Sequence, residues 1–181
     1  MATNCSVNST PLTRAKASAP DRETPRISSS AEVASKLCQI GGPALLRNLN
    51  ALEHGYATAT TQDETHSCYA AKIDKREALI DWSQSAITLE RKIRAFNPAP
   101  VAYSTLHGDR IKLWRARSTA QSSDYPPGTI VSIEEGVLRV ACGQGSLLVE
   151  QIQLPGKSRM AVAEVLNSRR QLFSSTTQLG T

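Results

Sequence analysis

A chain of 181 residues with 40% apolar and only 4% aromatic side chains suits one modest domain with appendages. Its 21 Lys and Arg exceed its 16 Asp and Glu by five. No run reaches the roughly 18–20 apolar residues of a membrane span, and the N-terminus lacks the apolar centre of a secretory signal. The expectation is a cytoplasmic protein without a membrane partner, its four cysteines (Cys5, Cys38, Cys68 and Cys142) present as reduced thiols.

Residues 1–29 are rich in Ser, Thr, Pro and Ala and lack apolar periodicity, a composition that predicts a disordered tail. Helical pattern begins at Ser30, an apt N-cap, with Val33, Leu37 and Ile40 four and three apart. Gly41 and Gly42 predict a break, and Pro43 suits the first turn of a second helix. Leu45, Leu46, Leu49 and Leu52 form that helix's apolar stripe, and Gly55 is its natural stop. Residues 56–75 are small and polar with no sustained period, which reads as a linker. A stronger helix follows, with Ser83 as cap and Ala86, Leu89, Ile93 and Phe96 on one face. Asn97 and Pro98 end it.

From Val101 the period changes to two. Strands are expected at 101–106 and 110–116 around a His107-Gly108-Asp109 turn, and at 129–134 and 137–142 around Glu135-Gly136. A turn at 143–145 leads to a strand at 146–154. Short, evenly spaced strands with Gly turns predict a small barrel or sandwich, so the fold class is α+β and mainly β. Residues 161–167 predict a short helix, followed by Ser168-Arg169-Arg170 and a weak tail.

The positive charge has one address. Residues 72–117 hold ten basic and five acidic side chains, whereas 1–71 are balanced at six each and 118–181 at five each. A basic zone on a neutral body is the electrostatic footprint of phosphate contacts. The plain alternative is a set of solvated surface faces, and charge alone does not choose between the two.

Several short motifs are ordered along the chain. Gln62-Asp63-Glu64, Tyr69-Ala70-x-Lys72-Ile73, Ile80-Asp81-Trp82-Ser83 and Ile93-Arg94-Ala95-Phe96-Asn97-Pro98 run through its middle. Ile111-Lys112-Leu113-Trp114, Pro127-Gly128-Thr129, Gly156-Lys157-x-Arg159-Met160 and Asn167-Ser168-Arg169-Arg170 continue them. In order and spacing, the series from about Glu32 to Phe173 resembles methionyl-tRNA formyltransferase at its interdomain junction and C-terminal domain.

The resemblance implies a helical remnant of the catalytic domain at 30–61, a basic interdomain linker at 62–75, and an OB-like β-barrel at 76–181 that binds tRNA. In that family the tRNA is initiator methionyl-tRNA, formylated for translation initiation. Carried over by position, Lys72, Lys75 and Arg76 would be linker contacts. Arg91, Arg94, Lys112, Lys157, Arg169 and Arg170 would be contacts from the barrel domain. Lys supplies a point charge to phosphate and Arg a bidentate fork, which position RNA and give salt-dependent affinity but no sequence choice.

The family takes its formyl group from 10-formyltetrahydrofolate, using Asn, His and Asp of an upstream α/β domain. Those residues and the folate-binding loop have no counterparts here. The reading is therefore a truncated form that is inactive alone and binds no cofactor, with a separately supplied catalytic domain as a candidate partner. One further departure is Ala99, where the family usually has Trp, a change expected to loosen the helix-to-barrel junction or remove a stacking surface.

Other signals have plain explanations. Trp82 and Trp114 suit base stacking on an OB-type platform, but burial in the core or junction is the stronger expectation. His54, His66 and Cys68 lack the second ligand pair that a structural zinc site needs. Gly143-x-Gly145 lies between strands and opens no helix, so it reads as a turn and not a phosphate loop. Asp63 and Glu64 are adjacent and His107 falls in a turn, so no catalytic constellation assembles. The alternative function is a non-catalytic remnant whose exposed helices at 30–54 drive oligomerisation or protein pairing.

Overall fold

The computed structural model describes residues 29–61, 63–174 and 176–180. The expected tail lies outside them except for Ser29, as does Gln62. The described residues group into two compact units, one holding 42–61 and 63–72, the other 29–41 with 73–174 and 176–180.

Helix α1 runs unbroken over Ser30–Glu53, with Pro43 inside it. The expected break at Gly41-Gly42 is therefore absent. An interior Gly costs about 1 kcal/mol and an interior Pro about 3, but strong helix formers flank the breakers on both sides: Ala34, Lys36 and Leu37 before, Ala44, Leu45 and Leu46 after. The apolar pattern instead changes phase. At about 100° per residue, the Leu45, Leu49 and Leu52 stripe lies roughly a third of a turn from Val33, Leu37 and Ile40. No residue of α1 is buried. Ser30 is the first helical residue, not the cap, and its Oγ donates to the Asn97 carbonyl 2.5 Å away. The stop at Gly55 is as expected: its φ is +74°, and Gly55 N–H and Tyr56 N–H donate to Leu52 O and Ala51 O, closing a Schellman end.

In the second unit a 3-10 turn, Lys75–Ala78, is fixed by a capping box. Asp74 Oδ1 accepts from Arg76 N–H at 2.8 Å and Glu77 Oε1 from Asp74 N–H at 2.7 Å. Helix α2, Ala86–Ala95, is capped by Ser85, whose Oγ accepts from Thr88 N–H. Ser83, the expected cap, is engaged elsewhere: its hydroxyl and amide both donate to Asp81 Oδ1. Those two bonds, the hydroxyl's first, hold the Asp81 carboxyl below its ordinary value. A local turn has outcompeted the helix for this serine. Ala86, Leu89 and Ile93 are buried as the periodicity requires.

The strands are β1 Tyr103–Leu106, β2 Asp109–Thr119, β3 Ile130–Glu134, β4 Val137–Ala141, β5 Ser146–Gln153 and β6 Met160–Ala161. They form one antiparallel sheet ordered β1-β2-β5-β4-β3, with β6 beside β5. Both predicted hairpins are present. Each closes through a two-residue turn whose residues have positive φ, His107-Gly108 at 52° and 82°, Glu135-Gly136 at 50° and 74°. Helix α3, Val162–Arg169, follows β6 and buries Val162 and Val165.

The C-terminal residues close the sheet into a barrel. Thr176 N–H donates to Ile130 O and Ile130 N–H to Thr177 O, while Leu179 N–H donates to Gly128 O, all at 2.8–2.9 Å. Gly180 N–H reaches Thr105 O on β1 at 2.9 Å. Residues 176–180 therefore lie between the free edges of β3 and β1. The expected weak tail after Arg170 is thus part of the barrel, and its Phe173 and Leu179 are core members, each 3% exposed. Inside lie Ile111, Leu113, Ile130, Leu138, Val140, Leu147, Val149 and Ile152, against Leu89 and Ile93 of α2.

Candidate functional site

Strand alternation sorts β2 into two faces. Ile111 and Leu113 point into the core, which leaves Arg110, Lys112 and Trp114 on the outer side. One row crosses the sheet here, because Leu79 bridges Tyr103, Tyr103 pairs with Lys112, and Lys112 pairs with Gln153. The Arg110 guanidinium lies 4.1 Å from the centre of the Tyr103 ring, and that of Arg159 lies 5.3 Å from the Trp114 ring. Each ring thus carries a planar cation.

Gln153 organises this surface. Its Oε1 accepts the Trp114 indole N–H at 3.1 Å, and its Nε2 donates to the Lys157 carbonyl at 2.7 Å. One amide therefore fixes both the indole and the turn carrying Lys157. Beside it a surface cavity of about 330 Å³ is lined by Arg110, Lys112 and Asp109 on one wall and by Gln153, Leu154, Pro155 and Gly156 on the other. A smaller adjoining depression shares Asp109, Leu154 and Pro155 and adds His107 and Arg169.

The site candidates from the sequence divide accordingly. Lys112 belongs to the outer face, Lys157 to the adjoining turn whose carbonyl Gln153 holds, and Arg169 to the depression next to it. Lys75 and Arg76 stand in the turn that leads to Leu79 and so enter at the β1 edge of the same row, where Ile80 N–H donates to Tyr103 O. Lys72 falls in the other unit and is exposed. Arg170 lines a different depression, with Glu135 and Asn167. Arg91 and Arg94 lie on α2. Arg94 faces Glu90 at 4.0 Å, and Glu90 accepts both the amide and hydroxyl of Ser118 on β2.

Three residues of this face are not among the binding candidates from the sequence: Tyr103, Arg110 and Arg159, the last of which stands in the Gly156-Lys157-x-Arg159-Met160 motif. Period two along β2 would have found Arg110 beside Lys112. Tyr103 and Arg159 required strand pairing and the 154–159 turn. The basic zone is also less uniform than its count suggests. Arg115 and Arg117 both pair with Glu150, at 2.7 Å for Arg115, and Lys92 Nζ donates to Leu79 O. Among the described residues Arg110, Lys112, Lys157 and Arg159 have no carboxylate partner within ion-pair distance.

Of the two tryptophans, expected in the core or junction, Trp82 is buried and donates to Ser104 Oγ, whereas Trp114 is half-buried and stands at the junction, its carbonyl accepting from Asn97 Nδ2 at 3.1 Å. Its position at a β-bulge between Leu113 and Arg115 keeps the ring at the surface. Asp63 serves locally, accepting the amide and hydroxyl of Thr65, and these bonds, the hydroxyl's first, lower its carboxyl below the ordinary value. Among the described residues no three His, Cys, Asp or Glu side chains are grouped to hold a metal, and no helix is long and apolar enough to cross a membrane.

The site is thus a cationic, aromatic outer face on a small antiparallel barrel, formed by Tyr103, Arg110, Lys112, Trp114 and Arg159. The formyl transferase C-terminal domain family matches residues 72–170, and the chain belongs to that family. Solved structures of HypX variants from Aquifex aeolicus share the fold, two of them at 20% and 19% identity with TM-scores of 0.61 and 0.62 over 79% and 81% of this chain. HypX in complex with tetrahydrofolic acid is similar at 21% identity and a TM-score of 0.54, over 67% of this chain and 22% of that one. The chain spans about a quarter of the HypX length, 26% in the first two cases.

Proposed function

We propose that this chain is the RNA-gripping part of a methionyl-tRNA formyltransferase, holding initiator methionyl-tRNA for formylation in translation initiation. One observation carries the reading: Arg110, Lys112 and Arg159 share an outer barrel face, Lys157 stands in the turn that Gln153 holds beside it, and none of the four has an ion-pair partner among the described residues. Cations that a fold leaves unneutralised beside an open cavity are available to phosphates. Lys75 and Arg76 extend the cationic row at the β1 edge, and Lys72, Arg91, Arg94, Arg169 and Arg170 are further contacts in this proposal.

Formyl transfer itself needs a base for the amine proton and donors for the developing oxyanion. In this proposal a separate α/β domain supplies those groups and holds 10-formyltetrahydrofolate, while residues 62–75 act as the linker and 76–181 as the tRNA-binding domain. The test is a mobility-shift titration with tRNA. Charge reversal by Arg110→Glu and Lys112→Glu should weaken binding at least tenfold, and Arg117→Glu, at a cation already paired with Glu150, should weaken it less. Equal loss in both cases would count against a defined face.

A second reading rests on α1, where Leu37, Ile40, Leu45, Leu46 and Leu52 are each at least 60% exposed. Such apolar exposure suits a protein–protein contact. Light scattering decides it: Leu45→Glu with Leu49→Glu should convert an oligomer to monomer, and a monomeric starting protein removes self-association.

A further inference from the structure

We infer that the outer face of β2 is a stacking platform for unpaired RNA bases, with Tyr103 and Trp114 as its seats and Lys112 between them. The inference deepens the RNA reading above and rests on it. Alternation along β2 brings Lys112 and Trp114 to one side about 7 Å apart, and Tyr103 stands in register with Lys112. The platform therefore has an aromatic ring on either side of a cation.

Two features favour bases over a simple phosphate contact. The Trp114 indole N–H is already satisfied by Gln153 Oε1, so the half-buried ring is fixed in place with the Arg159 guanidinium over it, and it has no donor left for a phosphate. The cations over the rings are arginines, Arg110 on Tyr103 and Arg159 on Trp114, and a guanidinium plane stacks on a nucleobase as it does on an aromatic ring. A base entering between guanidinium and ring, or covering the guanidinium, keeps the stack and leaves the arginine's N–H groups to reach the backbone. Arg159 is held near the indole because Met160, its neighbour, pairs with Ile152 of β5. Duplex RNA presents no free base face, so the preferred ligand is a stem with an unpaired end or loop. Every base has such a face, so the platform is tolerant of sequence.

The test compares two RNAs on the full chain: a blunt-ended duplex without a loop, and the same duplex with four unpaired nucleotides at one end. The overhang should tighten binding about tenfold, the order expected for a single stacked base. It should also quench tryptophan emission, with buried Trp82 as the unquenched remainder. Trp114→Leu should erase the difference between the two RNAs. Tyr103→Leu, at the other seat, should reduce it, and this covers the case in which the first variant fails to fold. Equal affinity for both RNAs with unchanged emission overturns the platform and leaves the RNA reading standing. A Trp114→Leu protein that loses affinity for both RNAs equally also overturns it. Failure to bind either RNA overturns platform and RNA reading together.

Discussion

The indole N–H of Trp82 donates to the hydroxyl of Ser104 across 3.0 Å, and both side chains are buried. This bond ties the segment before α2 to β1 inside the core. Removing the acceptor by Ser104→Ala leaves a buried donor unpaired, which costs about 1–3 kcal/mol. The urea midpoint should fall accordingly, with an unchanged m-value as the sign of a pure stability effect.

Gly143 is a steric requirement. A Cβ there would overlap the backbone carbonyl of Ser83, while the Gly143 amide donates to Trp82 O and Gln84 O at 2.9 and 3.0 Å. Backbone cannot yield as a side chain end can, so Gly143→Ala should cost roughly 3 kcal/mol, at the upper end for overpacking. Gly156 is the control. Its φ is +67° but its Cβ site is open, so Gly156→Ala should cost about 1–2 kcal/mol of conformational strain. Thermal melts of the two variants decide the order.

The three described thiols differ in chemistry. Burial pushes the Cys142 thiol from 9.0 up to about 11, and Cys38 and Cys68 are exposed. At a pH below both values, two units mean a hundredfold smaller thiolate fraction for Cys142 than for a thiol at 9.0. Timed alkylation of the native protein at pH 8 followed by peptide mass mapping should label Cys38 and Cys68 first. Labelling of Cys142 at a comparable rate would mean that the barrel opens readily. The sign for stability follows: burial favours the protonated thiol, so this contribution is present below pH 9 and is lost as pH rises toward 11.

Glu150 restrains two cations. It is paired with Arg115 and Arg117, which are themselves 62% and 45% exposed. Glu150→Gln should free them for phosphate, tightening tRNA binding a few-fold and steepening the salt slope by about one to two. Weaker binding on this substitution would show that the carboxylate positions the arginines for RNA.

Most of the barrel was legible in the sequence because its hairpins carry strong local signals. His107-Gly108 and Glu135-Gly136 sit between runs of period two, and Ile111 and Leu113 of β2 and Leu138 and Val140 of β4 are buried where alternation puts them, while Ala116, beyond the β2 bulge, and Ala141 fall out of phase. The misses have physical causes. The α1 breakers were outweighed by their neighbours, Asp81 captured Ser83 before the helix could, and residues 176–180 join the barrel through main-chain bonds that leave no mark on side-chain pattern. The basic zone between 72 and 117 was visible as a count. Its division into Glu150-paired arginines and an unneutralised face depended on register, as did the meeting of Arg159 with Trp114.

The central claim is that this barrel grips RNA through phosphate contacts, and a salt series tests it most directly. With about four phosphates engaged, log affinity for tRNA should fall against log salt with a slope near −3 to −4. Replacing Lys72, Lys75 and Arg76 together by Ala should make that slope shallower while leaving the thermal melt of the barrel in place. A flat salt response, or no binding at low salt by a folded protein, would contradict the account.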